Sequence, residues 1–162
     1  NGKNDKACIY FKGSNTSMSF ISSSPIFSVD SALVELQLEA MPEGNNYNLI
    51  YQEQSIKHSL VLELEHQAKW QHKIVLLSNI ADFNLSYFGS QSFVEAAQQL
   101  SSDSLIKDDT RTWYQNHQSN VSRSLPEKIQ INFTSAKGES NFQIALSQHS
   151  LHYLLTYLRE GV

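Results

Sequence analysis

The sequence predicts an α+β domain in which antiparallel β structure predominates. Three observations predict it: apolar and polar residues alternate through most of the chain, turn-forming clusters separate the alternating runs, and helical spacing is confined to two short stretches. At 162 residues, 40% of them hydrophobic, the chain is long enough to bury a core and is read as one domain spanning 1–162.

The elements follow in order. Ile9 to Phe11 and Met18 to Ser22 flank the turn-rich Lys12-Gly13-Ser14-Asn15 and form a first hairpin, closed by Ser22-Ser23-Ser24-Pro25. From Ser31 to Ala40, Leu33, Val34, Leu36 and Leu38 carry the apolar side chains and Glu35, Gln37 and Glu39 alternate with them, as a half-buried strand requires. Met41-Pro42-Glu43-Gly44-Asn45-Asn46 is loop chemistry, after which Tyr47, Leu49 and Tyr51 resume the alternation in an antiparallel return strand. Leu60, Leu62 and Leu64 give a third apolar face. The continuous run Ile74 to Leu77 is read as part of a connector ahead of a long strand, Ala81 to Phe88.

Helical spacing appears first at Phe93, Ala96, Ala97 and Leu100, inside an excursion from Gln91 to Asp109. It returns at Leu151, Leu154, Leu155 and Leu158, with Ser147 or Ser150 as a cap and Gly161 beyond the last turn. Between these stretches, Pro126 stands three residues before the alternating Ile129, Ile131 and Phe133. Lys137-Gly138 separates that run from Phe142, Ile144 and Leu146. A proline cannot donate within a central strand but can mark where a strand begins, so a hairpin entered through a stiff corner is expected.

Charged residues make up 17% of the chain and the net charge is −4, with no run of Lys or Arg. A nucleic acid or anionic lipid surface would find no basic cluster to bind, so neither is an expected partner. The single Cys8 excludes an internal disulfide framework and is read as a small buried apolar residue. No run approaches the roughly 18 apolar residues of a membrane span. The chain opens at Asn1 instead of methionine, and the expectation is that an upstream segment has been removed.

Chemistry-bearing patterns are sparse. His149 and His152 lie three apart, and His66 and His72 bracket Trp70, but neither pair has the spacing or the supporting carboxylate of a metal site. Asp103, Asp108 and Asp109 lack the ligand order of a calcium loop, and Glu63 and Glu65 read as the solvated face of a strand. No nucleophile elbow, S-x-x-K motif or phosphate-cradling glycine loop occurs. No catalytic, cofactor-binding or metal residue is therefore assigned, and no enzyme is expected. The aromatic residues Tyr87-Phe88, Trp113-Tyr114 and Phe133 are read as one core cluster, with a groove for a peptide or glycan as the competing reading.

Several stretches occur in a familiar order. Phe11 and Gly13 lead to Met18-Ser19-Phe20-Ile21-Ser22 and Pro25; Leu49-Ile50-Tyr51-Gln52-Glu53 follows; then comes Leu76 to Gly89, ending in Tyr87-Phe88-Gly89. Trp113 precedes Leu125-Pro126-Glu127-Lys128-Ile129. This order resembles the J-type minor pseudopilins of bacterial type II secretion systems, or a closely related type IV pilin-like minor pilin, over roughly Phe11 to Phe133. The resemblance implies a pseudopilin-like globular domain whose long, processed and methylated N-terminal membrane helix is missing upstream. It further implies a periplasmic domain of an inner-membrane protein that joins I-type and K-type minor pseudopilins at the pseudopilus tip and contacts secreted cargo. On that reading the membrane is reached only through the missing helix.

Overall fold

A computed structural model describes residues 10–56, 69–92, 94–95 and 111–146. Ten strands are present among them: β1 (Phe11–Gly13), β2 (Ser17–Ser22), β3 (Ala32–Ala40), β4 (Tyr47–Ser55), β5 (His72–Ile80), β6 (Asp82–Gly89), β7 (Thr112–Tyr114), β8 (His117–Gln118), β9 (Lys128–Ser135) and β10 (Gly138–Ala145). One four-residue helix, α1 (Ser119–Ser122), follows β8 and ends at Arg123 in the left-handed conformation. The strands form two antiparallel sheets, ordered β5-β4-β3-β2-β1-β8 and β10-β9-β6-β7.

The α+β expectation, with a long N-terminal helix truncated from a pilin-like domain, is overturned. The fold is nearly all antiparallel β in two sheets, and among the described residues no helix reaches seven residues. The physical reason lies in the period of the sequence, which is two over almost every described element and therefore sorts side chains onto the two faces of a sheet. The helix expected at Phe93 to Leu100 falls outside the described residues apart from Val94 and Glu95. The terminal helix at Leu151 to Leu158 and the apolar face at Leu60 to Leu64 lie wholly outside them.

The expected hairpins are found, except that Lys12 and Gly13, read as turn residues, belong to the first strand, and Ile9 lies outside the described residues. β1 pairs with β2 through Phe11 and Phe20, and β3 pairs with β4 over nine residues from Ala32 and Ser55 to Ala40 and Tyr47. β9 and β10 pair without interruption from Lys128 and Ala145 to Ser135 and Gly138, so the turn itself is Ala136-Lys137. Pro126 is fully buried just before β9, where the absent N–H costs no ladder bond.

The segment read as a connector is instead a full strand, β5. Its register against β4 shifts twice, between Tyr47 and Leu49 and again between Leu49 and Ile50. Each extra residue on β5 breaks the alternation, which is why Ile74 to Leu77 shows no period of two. The chain then crosses to the second sheet through Ala81, whose N–H donates to the Thr134 carbonyl at 2.9 Å.

Cross-strand pairs show which faces meet. Phe83, Leu85 and Tyr87 of β6 lie opposite Phe133, Ile131 and Ile129 of β9 and share one face. With Phe11, Met18, Leu49 and Ile80 of the first sheet, the buried members of that face form the core, and Phe20, Leu36, Leu38 and Leu77 pack against it. Tyr87 fastens the sheets together. Its hydroxyl donates to the Ser14 carbonyl at 2.8 Å and its ring lies over Gly13. A Cβ at Gly13 would overlap that ring, 2.7 Å from Cε1, so only glycine permits the approach.

Candidate functional site

Three of the stretches that carried the resemblance, Tyr87-Phe88-Gly89, Trp113 and Pro126-Glu127-Lys128, far apart in sequence, meet at one corner of the second sheet, while Phe11 to Ser22 and Leu49 to Glu53 belong to the first. Alternation along β6 turns Tyr87 into the core and Phe88 to the opposite face, where it pairs with Trp113 of β7. The two rings are 5.3 Å apart between centroids. Arg111 and Lys128 bring their cations to 5.9 and 5.3 Å from the Phe88 ring centre, within range of its quadrupole. Glu127 completes the group, accepting a bond from Arg111 Nη1 at 3.1 Å.

The backbone of the corner is equally fixed. The Glu127 N–H donates to the Phe88 carbonyl at 2.7 Å, and the Glu127 carbonyl accepts from Leu146 N–H at 2.8 Å. Gly89, at φ 154°, ends β6 beside Pro126 and Glu127 in a conformation that L side chains rarely adopt. Trp113 remains 38% exposed. The corner thus presents a ring, two cations and a carboxylate on a rigid base, a composition suited to holding another protein surface.

The single aromatic cluster expected from Tyr87, Phe88, Trp113, Tyr114 and Phe133 is divided between faces and ends. Phe88 and Trp113 share the outer corner, while Tyr87 is buried in the core. Phe133 lies four residues along β9 from Ile129, the partner of Tyr87, and stacks on Phe142 at 5.9 Å.

Two further arrangements carry no sequence signature. Glu53 is fully buried and accepts bonds from the N–H of Phe27, from the N–H and hydroxyl of Ser28 at 2.6 and 2.7 Å, and from the Tyr51 hydroxyl at 2.5 Å. Burial alone would raise this carboxyl, but the donors from Tyr51, Ser28 and Phe27 outweigh it and hold its pKa at about 2, down from 4.5. Tyr51 moves the other way: burial and then the bond to Glu53 push it up to about 12. The pair pins the loop between β2 and β3, which shows Ile26, Phe27 and Val29 to solvent.

His117, which no motif singled out, is buried against Phe11, with ring centroids 5.7 Å apart. Its Nε2 lies 2.8 Å from the Ser124 carbonyl, which can only accept, so Nε2 carries the proton. Burial depresses its pKa, partly offset by that carbonyl. The Ser122 hydroxyl lies 3.3 Å from the same nitrogen, but it is buried and donates to neighbouring carbonyls. This contact ties α1 to β8, and Ser119 Oγ, accepting from Phe11 N–H at 2.8 Å, braces it against β1.

On the outer face of the first sheet lies a groove of about 490 Å³, lined by Tyr10 and Trp70 together with Lys12, Glu35, Asn116 and Gln118. Among the described residues no group of three or more His, Cys, Asp or Glu side chains could hold a metal ion. His72, one of the histidines flanking Trp70, stacks on Phe27 at 4.9 Å. Cys8, Glu63, Glu65, His66, Asp103, Asp108, Asp109, His149 and His152 lie outside the described residues. No described helix is long and apolar enough to cross a membrane. Comparison with known families, with characterised proteins and with solved structures finds no match to this chain.

Proposed function

We propose that this protein is a non-catalytic assembly subunit, a minor-pseudopilin-like component of a type II secretion pseudopilus that works by binding I-type and K-type partners on the periplasmic side. One observation carries the reading. Tyr87-Phe88-Gly89, Trp113 and Pro126-Glu127-Lys128, the elements whose order resembles that family, converge on one corner through the Phe88 and Trp113 rings and the Arg111 and Glu127 pair. The reading rests on these β elements alone and makes no use of a long helix. Co-expression with I-type and K-type minor pseudopilins tests it: a stable complex that weakens in a Trp113→Ala variant is expected, and a chain that elutes alone beside both refutes it.

The outer groove favours a second reading, a small binding module for a glycan or an extended peptide. Tyr10 and Trp70 offer flat apolar faces, while Asn116, Gln118, Lys12 and Glu35 offer donors and acceptors around them. With Trp113 replaced by Phe, Trp70 is the sole tryptophan fluorophore, since the chain has two tryptophans. Titration with oligosaccharides and short peptides should then change its emission, and an unresponsive Trp70 would eliminate this reading.

A further inference from the structure

The two sheets leave four edges among the described residues: β5, β8, β10 and β7. Each of three is short or irregular. β8 has two residues, β7 has three, and β5 carries two register shifts and Lys73. These are ordinary protections against strand addition. β10 has none of them. It is eight residues long, keeps one register with β9 throughout, contains no proline or lysine, and carries Glu139 as its one charge.

Its hydrogen-bonding parity is fixed by the β9 register. Leu146 N–H donates to Glu127 on the register that pairs Ala145 with Lys128, so Ile144, Phe142 and Ser140 bond inward to β9. Glu139, Asn141, Gln143 and Ala145 therefore turn their N–H and C=O groups outward. Phe142 and Ile144 share the core-facing side with Ile131 and Ile129, yet they remain 55% and 44% exposed. The core face thus continues onto an edge that nothing described covers.

We infer that β10 is a self-association edge, pairing antiparallel with β10 of a second copy about a two-fold axis through Phe142. The sequence of the strand is complementary to itself in this register. Phe142 meets its own copy as a non-hydrogen-bonded pair, where side chains approach most closely. Ser140 lies opposite Ile144, and Asn141 opposite Gln143, both of whose main-chain groups point outward. Glu139 falls opposite Ala145, so no like charges meet. Across the small Ala145 stands Lys128, on the same face as the second copy's Glu139. Two four-stranded sheets thereby become one continuous sheet that covers Phe142 and Ile144 of both copies. Self-pairing of β10 and the secretion reading are independent, and either can fail alone.

Sedimentation of the full chain across the micromolar range tests the pairing, with a monomer–dimer equilibrium expected. Gln143→Pro removes an outward N–H while leaving every β9–β10 bond in place, since proline is tolerated on an edge strand. Two intermolecular bonds are lost per dimer, so the dissociation constant should rise by roughly tenfold or more, with an unchanged circular dichroism spectrum. The register is read by cross-linking in a Cys8→Ser background: Phe142→Cys should oxidise to a disulfide dimer, and Gln143→Cys, displaced from its own copy, should not. A chain that is monomeric throughout, as it would be if this edge served an unrelated strand, overturns the inference. So does dimerisation indifferent to Gln143→Pro, or equal cross-linking at both positions.

Discussion

Glu53 offers the sharpest test of how the fold is held. Its carboxylate is buried and accepts from two backbone N–H groups and two hydroxyls, so the ionised form is specifically stabilised in the folded chain. Lowering a pKa from 4.5 to about 2 corresponds to about 3 kcal/mol of stability carried by the charge. Because the folded value lies below the unfolded one, this contribution is complete above about pH 4.5 and is lost as the pH falls through about 2. Glu53→Gln keeps the shape but removes the charge and one acceptor, and should cost roughly 2–3 kcal/mol at neutral pH. Glu53→Ala also leaves Tyr51 without its acceptor and opens a void, raising the cost to about 3–5 kcal/mol. Urea unfolding followed by tryptophan fluorescence at several pH values reads both quantities. The gap between wild type and Glu53→Gln should close as the medium is acidified. A gap that is small at neutral pH, or that persists unchanged to low pH, would refute the assignment of this carboxylate as the loop's charged anchor.

Gly13→Ala forces a Cβ into the Tyr87 ring, which is fully buried and bonded at its hydroxyl, so a loss of about 1–3 kcal/mol is expected in chemical denaturation. Tyr87→Phe keeps the ring and removes the bonds to the Ser14 and Ser17 carbonyls, costing about 1 kcal/mol in the same assay. His117, buried and neutral with a depressed pKa, contributes stability above its ordinary value of 6.5 that is lost as the pH falls below it. A His117→Gln variant should flatten the stability profile in that window, which lies above the one set by Glu53, and two-dimensional NMR of the imidazole should show titration below 6.5.

Hairpins were legible wherever alternation and turn chemistry agreed. β3 and β4 flank Met41 to Asn46, and β9 and β10 flank Ala136-Lys137, and in both the apolar positions directly set the cross-strand register. β5 was not legible because its two extra residues shift the period partway along, and Ile74 to Leu77 then looks continuous. The division into two sheets was hidden as well. It depends on Ala81 handing the chain from Ile80, paired with Tyr47, to Asp82, paired with Thr134, and no local pattern announces such a change of partner.

The candidate site shows why adjacent aromatic residues cannot be assigned a role as a group. Tyr87 and Phe88 differ by one position, and a period of two sends them to opposite faces: one closes the core over Gly13, the other joins Trp113, Arg111 and Lys128 at the surface. Phe133 shares the inward face with Tyr87 but stands at the far end of β9, where it packs on Phe142. Once parity is applied, two surfaces separate. The outer corner is built from the motif residues and is rigid through Glu127 and Gly89, whereas the inner edge at Phe142 and Ile144 is apolar and left open by the described residues. The first suits a partner recognised by rings and charges, the second a strand that supplies main-chain bonds. Substitutions at Trp113 and at Gln143 should therefore perturb different associations, because Trp113 belongs to the corner alone and Gln143 to the edge alone, with Lys128 the side chain placed near both.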